Sequence, residues 1–231
     1  VCSSDLVDPV GLVEGLRKSR AGRLCFAGPP GTGKTAFAGH IARELGLSLI
    51  ERRASDLLSP YVGVAEKNIA AAFAEAESSG AALLIDEVDS FLQDRTRAQR
   101  SWEVTQVNEF LTQMEKFAGL FIASTNLLEG FDAAALRRFD LKARFQFMRP
   151  EQSVALLASH LHAAGLPAAQ PADEARLRAV SVLTPGDFAA VARQSRFRPL
   201  ATPADWVAAL EAECRHKPGQ QRAPIGFGRA A

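Results

Sequence analysis

Residues 23–45 read RLCFAGPPGTGKTAFAGHIAREL, and three different kinds of local order follow one another within them. RLCFAG (23–28) is a short apolar run of the kind that forms a strand covered on both faces. KTAFAGHIAREL (34–45) carries Phe37, Ile41 and Leu45 at helical spacing, which puts them on one stripe. Between them, Gly28-Pro-Pro-Gly-Thr-Gly33-Lys34-Thr35 fits G-x-x-x-x-G-K-[ST]. A strand before this spacing and a helix after it are the context its mechanism requires. Glycines let successive backbone N–H groups wrap phosphate oxygens, and the helix N-terminus adds favourable partial charge. Pro30, Gly31, Thr32, Gly33, Lys34 and Thr35 are therefore candidate phosphate-binding residues. Lys34 would reach the β- and γ-phosphates, and Thr35 would hold Mg²⁺. A Gly-rich turn without a ligand is the structural alternative.

Outward from this segment, strand-like and helical stretches alternate through residue 149. LSLIER (47–52), AALLID (81–86), GLFIASTN (119–126) and ARFQF (143–147) read as further strands. Helical periods fall around residues 65–77 and over SWEVTQVNEFLTQMEKF (101–117). Such alternation implies a five-stranded parallel sheet with helices on both faces, an α/β domain over residues 7–149. After Pro150 no strand-like run remains and alanine dominates, so residues 150–216 are expected to form a small helical domain. Thr184-Pro-Gly-Asp187 and Thr202-Pro-Ala-Asp205 carry capping-box spacing with Pro at the first helical position. The Gly- and Pro-rich stretch 217–231 is expected to be extended or disordered, and its PIGF (224–227) has no physical explanation. The first six residues, VCSSDL, match a translated sequencing adapter; they are set aside as an expected artefact, with the chain expected to begin mid-protein.

Composition bounds the function. The chain is 47% hydrophobic and 23% charged with net charge +1, which fits a soluble globular protein with no general drive toward nucleic acid or membrane. The cysteines, at 2, 25 and 214, show no metal-binding spacing, and Cys25 lies in an apolar run as a reduced thiol. No apolar stretch is long enough to span a bilayer, so a cytoplasmic location is expected. Histidines at 40, 160, 162 and 216 form no HExxH zinc-protease motif, and no basic-aromatic cluster tracks a single nucleic-acid strand.

Leu83-Leu-Ile-Asp86-Glu87 delivers two carboxylates to the C-terminal edge of the sheet. Asp86 would join Thr35 in the Mg²⁺ shell, and Glu87 would polarise an attacking water. Asp89 is adequately explained as an acid at a helix start.

GPPGTGKT, LLSPYVGVAEKNI, LLIDEVDSF and FIASTN…ALRRFD occur in the order and spacing of AAA-type (AAA+) ATPases, and the chain resembles that family over about residues 23–195. The resemblance implies a P-loop NTPase fold with a helical lid, ATP and Mg²⁺ as cofactors, and a homo-oligomeric ring, usually a hexamer, with ATP at subunit interfaces. Asn126 matches the sensor-1 residue that positions the lytic water. Arg137 and Arg138 match arginine fingers that reach a neighbour's γ-phosphate. Their adjacency resembles the severing and membrane-remodelling members, where many others read Arg-Pro-Gly-Arg. Gly186, where many relatives read Ser-Gly-Ala-Asp, is a candidate contact for base or ribose. No arginine stands at that helix start, and Asp8-Pro-Val-Gly11 only loosely represents the segment that helps hold adenine.

Tyr61-Val62-Gly63 matches the aromatic-hydrophobic-Gly loop that grips a polypeptide in the pore, which implies a protein remodeller or unfoldase. A ring lying over the core is the structural alternative for Tyr61. Residues 95–100, RTRAQR, correspond to the region of a second pore loop or to a solvated polar loop. The alternative function is a regulatory or nucleic-acid-associated switch or loader without threading.

Overall fold

The computed structural model describes residues 9–61, 63–92, 101–126, 133–215 and 217. The chain divides into two compact units, one of Val1–Pro29 and Lys34–Phe145, the other of Pro30–Gly33 and Gln146–Ala231.

In the first unit, α1 (Pro9–Ser19) leads into β1 (Gly22–Ala27), α2 (Lys34–Glu44), β2 (Leu49–Arg53), α3 (Ala54–Leu57) and α4 (Val64–Ser79). β3 (Ala82–Asp86), α5 (Asp89–Leu92), α6 (Ser101–Lys116), β4 (Leu120–Thr125), α7 (Ala133–Leu136) and β5 (Leu141–Arg144) complete it. The five strands are all parallel and ordered β2-β3-β4-β1-β5. The apolar run of β3 is explained by cover on both sides. Leu83 and Ile85 join a cluster with Ile69, Phe73, Phe110 and Phe121, whereas Ala82 and Leu84 join Phe26, Ile41 and Ile122. Alternate residues point to opposite faces, so a strand with two buried faces has no polar positions to show.

Two features depart from the sequence reading. Helix α1 falls where no helix was expected, and it buries Val13 and Leu16. The fifth strand is Leu141–Arg144 rather than 143–147. Its extent is set by its neighbour: Ala27, the last residue of β1, pairs with Arg144. The chain then turns at Gly28, where a Cβ would lie 2.2 Å from the Phe145 carbonyl oxygen. The alternation of ARFQF ends at Phe145, whose N–H donates to the Ala27 carbonyl at 2.7 Å and whose ring packs on Phe26, 5.3 Å between centroids.

The second unit holds α8 (Pro150–Ala163), α9 (Pro171–Arg178), α10 (Pro185–Gln194) and α11 (Pro203–Cys214). All four begin with Pro in the first turn, where a missing N–H costs nothing. Their core is Leu157, Leu161, Leu177, Phe188, Val191, Trp206, Val207 and Leu210. The expected caps are present. Asp205 accepts from the Thr202 N–H at 2.9 Å, and Asp187 accepts from the Thr184 N–H at 2.7 Å. Among the described residues no helix is long and apolar enough to cross a membrane.

Candidate functional site

The strand order decides which side chains meet. β4 lies between β3 and β1, so the residues that follow these three strands emerge along one edge, the C-terminal edge where parallel α/β sheets bind ligands. Asn126 follows β4, Asp86 ends β3, and Gly28 follows β1.

Lys34, the first residue of α2, is buried in spite of its charge. Its Nζ donates to the carbonyls of Gly28 at 2.7 Å and Pro29 at 3.0 Å, and to Asn126 Oδ1 at 2.9 Å. All three ammonium hydrogens are therefore directed toward oxygens at the sheet edge. Loss of solvation pushes its pKa below the ordinary lysine value, and the negative charges of Asp86 and Asp89 oppose that push.

Asp86 is held at both oxygens. Ser124, fully buried on β4, donates to Oδ1 at 2.5 Å, and the Glu87 N–H donates to the same oxygen at 2.9 Å. Thr35 Oγ1 stands 3.4 Å from Oδ2. Thr35 and Asp86 together present hard oxygen donors, and a Mg²⁺ that completes its shell with water and phosphate needs only one or two from the protein. Glu87 is exposed and has a left-handed backbone, φ 58°, a conformation costly for a residue with a Cβ. The sharp turn it makes lets Val88 N–H return to the Ser124 carbonyl at 3.0 Å. Asp89 opens α5 as expected and also accepts a hydrogen bond from Thr125 Oγ1.

In the second unit, Gly31 and Gly33 adopt φ 78° and 95°, the left-handed backbone a tightly curled loop demands. Gly186 N–H donates to the Gly31 carbonyl at 2.9 Å. A Cβ on Gly186 would lie 2.8 Å from Gly31 Cα, so only glycine permits this approach. The N–H of Gly186 is thus directed to the loop backbone.

Tyr61 is 74% exposed, which removes the core-covering alternative for its ring. Gly63 caps α4 with φ 82°, and Tyr61 N–H donates to Ser59 Oγ at 3.2 Å. Val62 lies outside the described residues, as do RTRAQR and PIGF. The two arginines differ. Arg138 is paired with Glu115 and also donates to the Ala134 carbonyl at 3.4 Å. Arg137 is exposed, with no hydrogen-bond or ion-pair partner among the described residues.

Ser124 was not singled out in the sequence. Its signal was available: in FIASTN, two hydroxyl residues interrupt an apolar strand just before the polar residue that ends it.

Residues 24–147 match the family described as "ATPase family associated with various cellular activities (AAA)". The chain is 33% identical over 201 residues to Spastin of Drosophila melanogaster, covering 82% of this chain and 26% of that protein. To Spastin of Drosophila persimilis it is 34% identical over 201 residues, covering 82% of this chain and 25% of that protein. The chain thus spans about a quarter of the length of these relatives.

Proposed function

The chain belongs to the AAA family of ATPases, and on that premise we propose that it hydrolyses ATP with Mg²⁺ and couples turnover to remodelling a polypeptide drawn through the pore of a homo-oligomeric, hexameric ring. In this reading residues 7–149 are the ATPase domain, residues 150–216 its lid, and the protein works in the cytoplasm. Pro30 to Gly33 wrap the phosphates, Lys34 neutralises them, and Thr35 and Asp86 hold the metal, with Gly186 beside the nucleotide. Bound Mg²⁺ supplies charge neutralisation on the phosphate oxygens. Glu87 takes a proton from the lytic water while Asn126 orients it. Arg137 and Arg138 reach the active site of the adjacent subunit.

The observation that carries the hydrolytic part is a pair of hydrogen-bonded groups at one sheet edge, Lys34 with Asn126, and Asp86 with Thr35 and Ser124. Threading rests on Tyr61, a large ring exposed beside a helix start where packing gives it nothing to do. An aromatic ring grips backbone with little regard for sequence, and glycine beside it, having no Cβ, allows its backbone more conformations than any other residue.

Tyr61→Ala tests the coupling. Phosphate release in the absence of substrate should stay within about twofold, because truncating an exposed side chain costs the fold little. Unfolding of a fluorescent reporter protein bearing an unstructured tail should be lost. A variant that still unfolds the reporter would refute the threading role, and one that loses basal turnover as well would show Tyr61 to belong to the ATPase machinery.

A further inference from the structure

Asp187, in the first turn of α10, is 5% exposed, and a buried carboxylate must be supplied with donors. Its Oδ2 accepts from Thr184 N–H at 2.7 Å, Thr184 Oγ1 at 2.8 Å and Lys217 Nζ at 2.6 Å, with Cys214 Sγ at 3.8 Å. The cation comes from beyond the end of α11. Lys217 is 30 residues from Asp187 in sequence, and its Nζ also reaches the Val182 carbonyl at 3.3 Å and Thr184 Oγ1 at 3.4 Å. Three oxygens of the Val182–Asp187 turn thus converge on one ammonium. Burial and Asp187's negative charge together push the neighbouring Cys214 thiol up to about 11, so it stays protonated and contributes no second charge.

The turn that Lys217 clamps is the one that touches Gly31. Thr184 Oγ1 would lie 2.9 Å from a Cβ on Gly31, and Gly186 N–H holds the Gly31 carbonyl at 2.9 Å. All these groups lie within the second unit. A displacement of the turn is therefore passed directly to the backbone of the loop.

We infer that Lys217 is a positioning residue for nucleotide binding: by pairing with buried Asp187 it fixes the Thr184–Gly186 turn against Gly31 and so sets the curl of the phosphate loop. This rests on the proposed reading of that loop as the ATP site. Without the ammonium, Asp187 keeps two donors from Thr184 but loses its counter-charge. The turn must then loosen to admit water to the carboxylate.

Calorimetric titration of the chain with Mg·ADP, a nucleotide that cannot be turned over, tests the inference. Lys217→Met should bind ADP about tenfold more weakly, the scale of one charge-assisted hydrogen bond, and Lys217→Arg should recover to within about twofold. Lys116→Met, a lysine at the last turn of α6, should leave affinity unchanged. Should Lys217→Met fail to fold, Asp187→Asn combined with Lys217→Met removes the uncompensated charge but still lacks the Lys217 clamp on the Val182 and Thr184 oxygens, and a loss of about threefold is expected. A lower Tm with unchanged ADP affinity would make Lys217 a structural residue only and overturn the inference. If the unmodified chain binds no ADP, the reading of the loop fails instead.

Discussion

Ser124→Ala puts the geometry around Asp86 to a demanding test, because it removes one oxygen atom from a residue that touches neither nucleotide nor water in the proposed chemistry. Ser124 is fully buried and donates to Asp86 Oδ1 at 2.5 Å. A hydrogen bond to an ionised acceptor is worth about 1.5–3 kcal/mol. Asp86 is only half-buried, so water can replace part of what is lost, and the lower end applies. The remaining holds are the Glu87 N–H at 2.9 Å and the long contact from Thr35 at 3.4 Å, which leave the carboxylate free to rotate. About 1.4 kcal/mol of lost positioning corresponds to about a tenfold fall in kcat/KM for ATP. The Mg²⁺ concentration for half-maximal turnover should rise as well, since the loosened carboxylate is the proposed metal ligand. Steady-state phosphate release across a Mg²⁺ titration, with thermal unfolding in parallel, reads both. Turnover and Mg²⁺ requirement equal to those of the unmodified chain would refute the claim that Ser124 orients Asp86.

Three further substitutions probe other parts of the structure. Arg137→Ala should abolish the rise in specific ATPase activity with protein concentration, by about 10³-fold where assembly is complete, while Arg138→Ala should cost less because its guanidinium is already engaged by Glu115. Equal losses in concentration-dependent turnover assays would contradict that division. Gly28→Ala should destabilise the fold by about 3 kcal/mol or more in denaturant unfolding, since its Cβ would meet the Phe145 carbonyl oxygen at 2.2 Å; a loss under about 1 kcal/mol would show that the backbone at Phe145, just past β5, yields easily.

The central strands β1, β3 and β4 were legible because each is short, mainly apolar and punctuated by glycine or a polar residue, and because two covered faces erase alternation. Its edges were less legible. The end of β5 depends on where β1 stops, a long-range pairing that no local pattern encodes. Helix α1 was missed because PVGLVEGLRKS holds two glycines, at 11 and 15, which outweighed the start signal of Asp8-Pro9. In the site, Lys34, Thr35 and Asp86 were readable from spacing because each sits at a fixed offset from a strand or helix end, and Asn126 was singled out by the family resemblance. Ser124 and Lys217 were not, for they act on other side chains, and the sequence separates Ser124 from Asp86 by 38 residues and Lys217 from Asp187 by 30. The unequal setting of Arg137 and Arg138 was equally hidden, since it depends on Glu115 of α6.

Glu87→Gln tests the central claim most directly. The residue stands in a strained left-handed turn at the sheet edge, exposed and with no side-chain partner among the described residues, as a group must be if it is to receive a proton from water. The amide keeps the shape and loses the basicity. The expected result is ATP bound as tightly as by the unmodified chain, with single-turnover phosphate release slowed about 10²–10⁴-fold. Hydrolysis near the unmodified rate would contradict it.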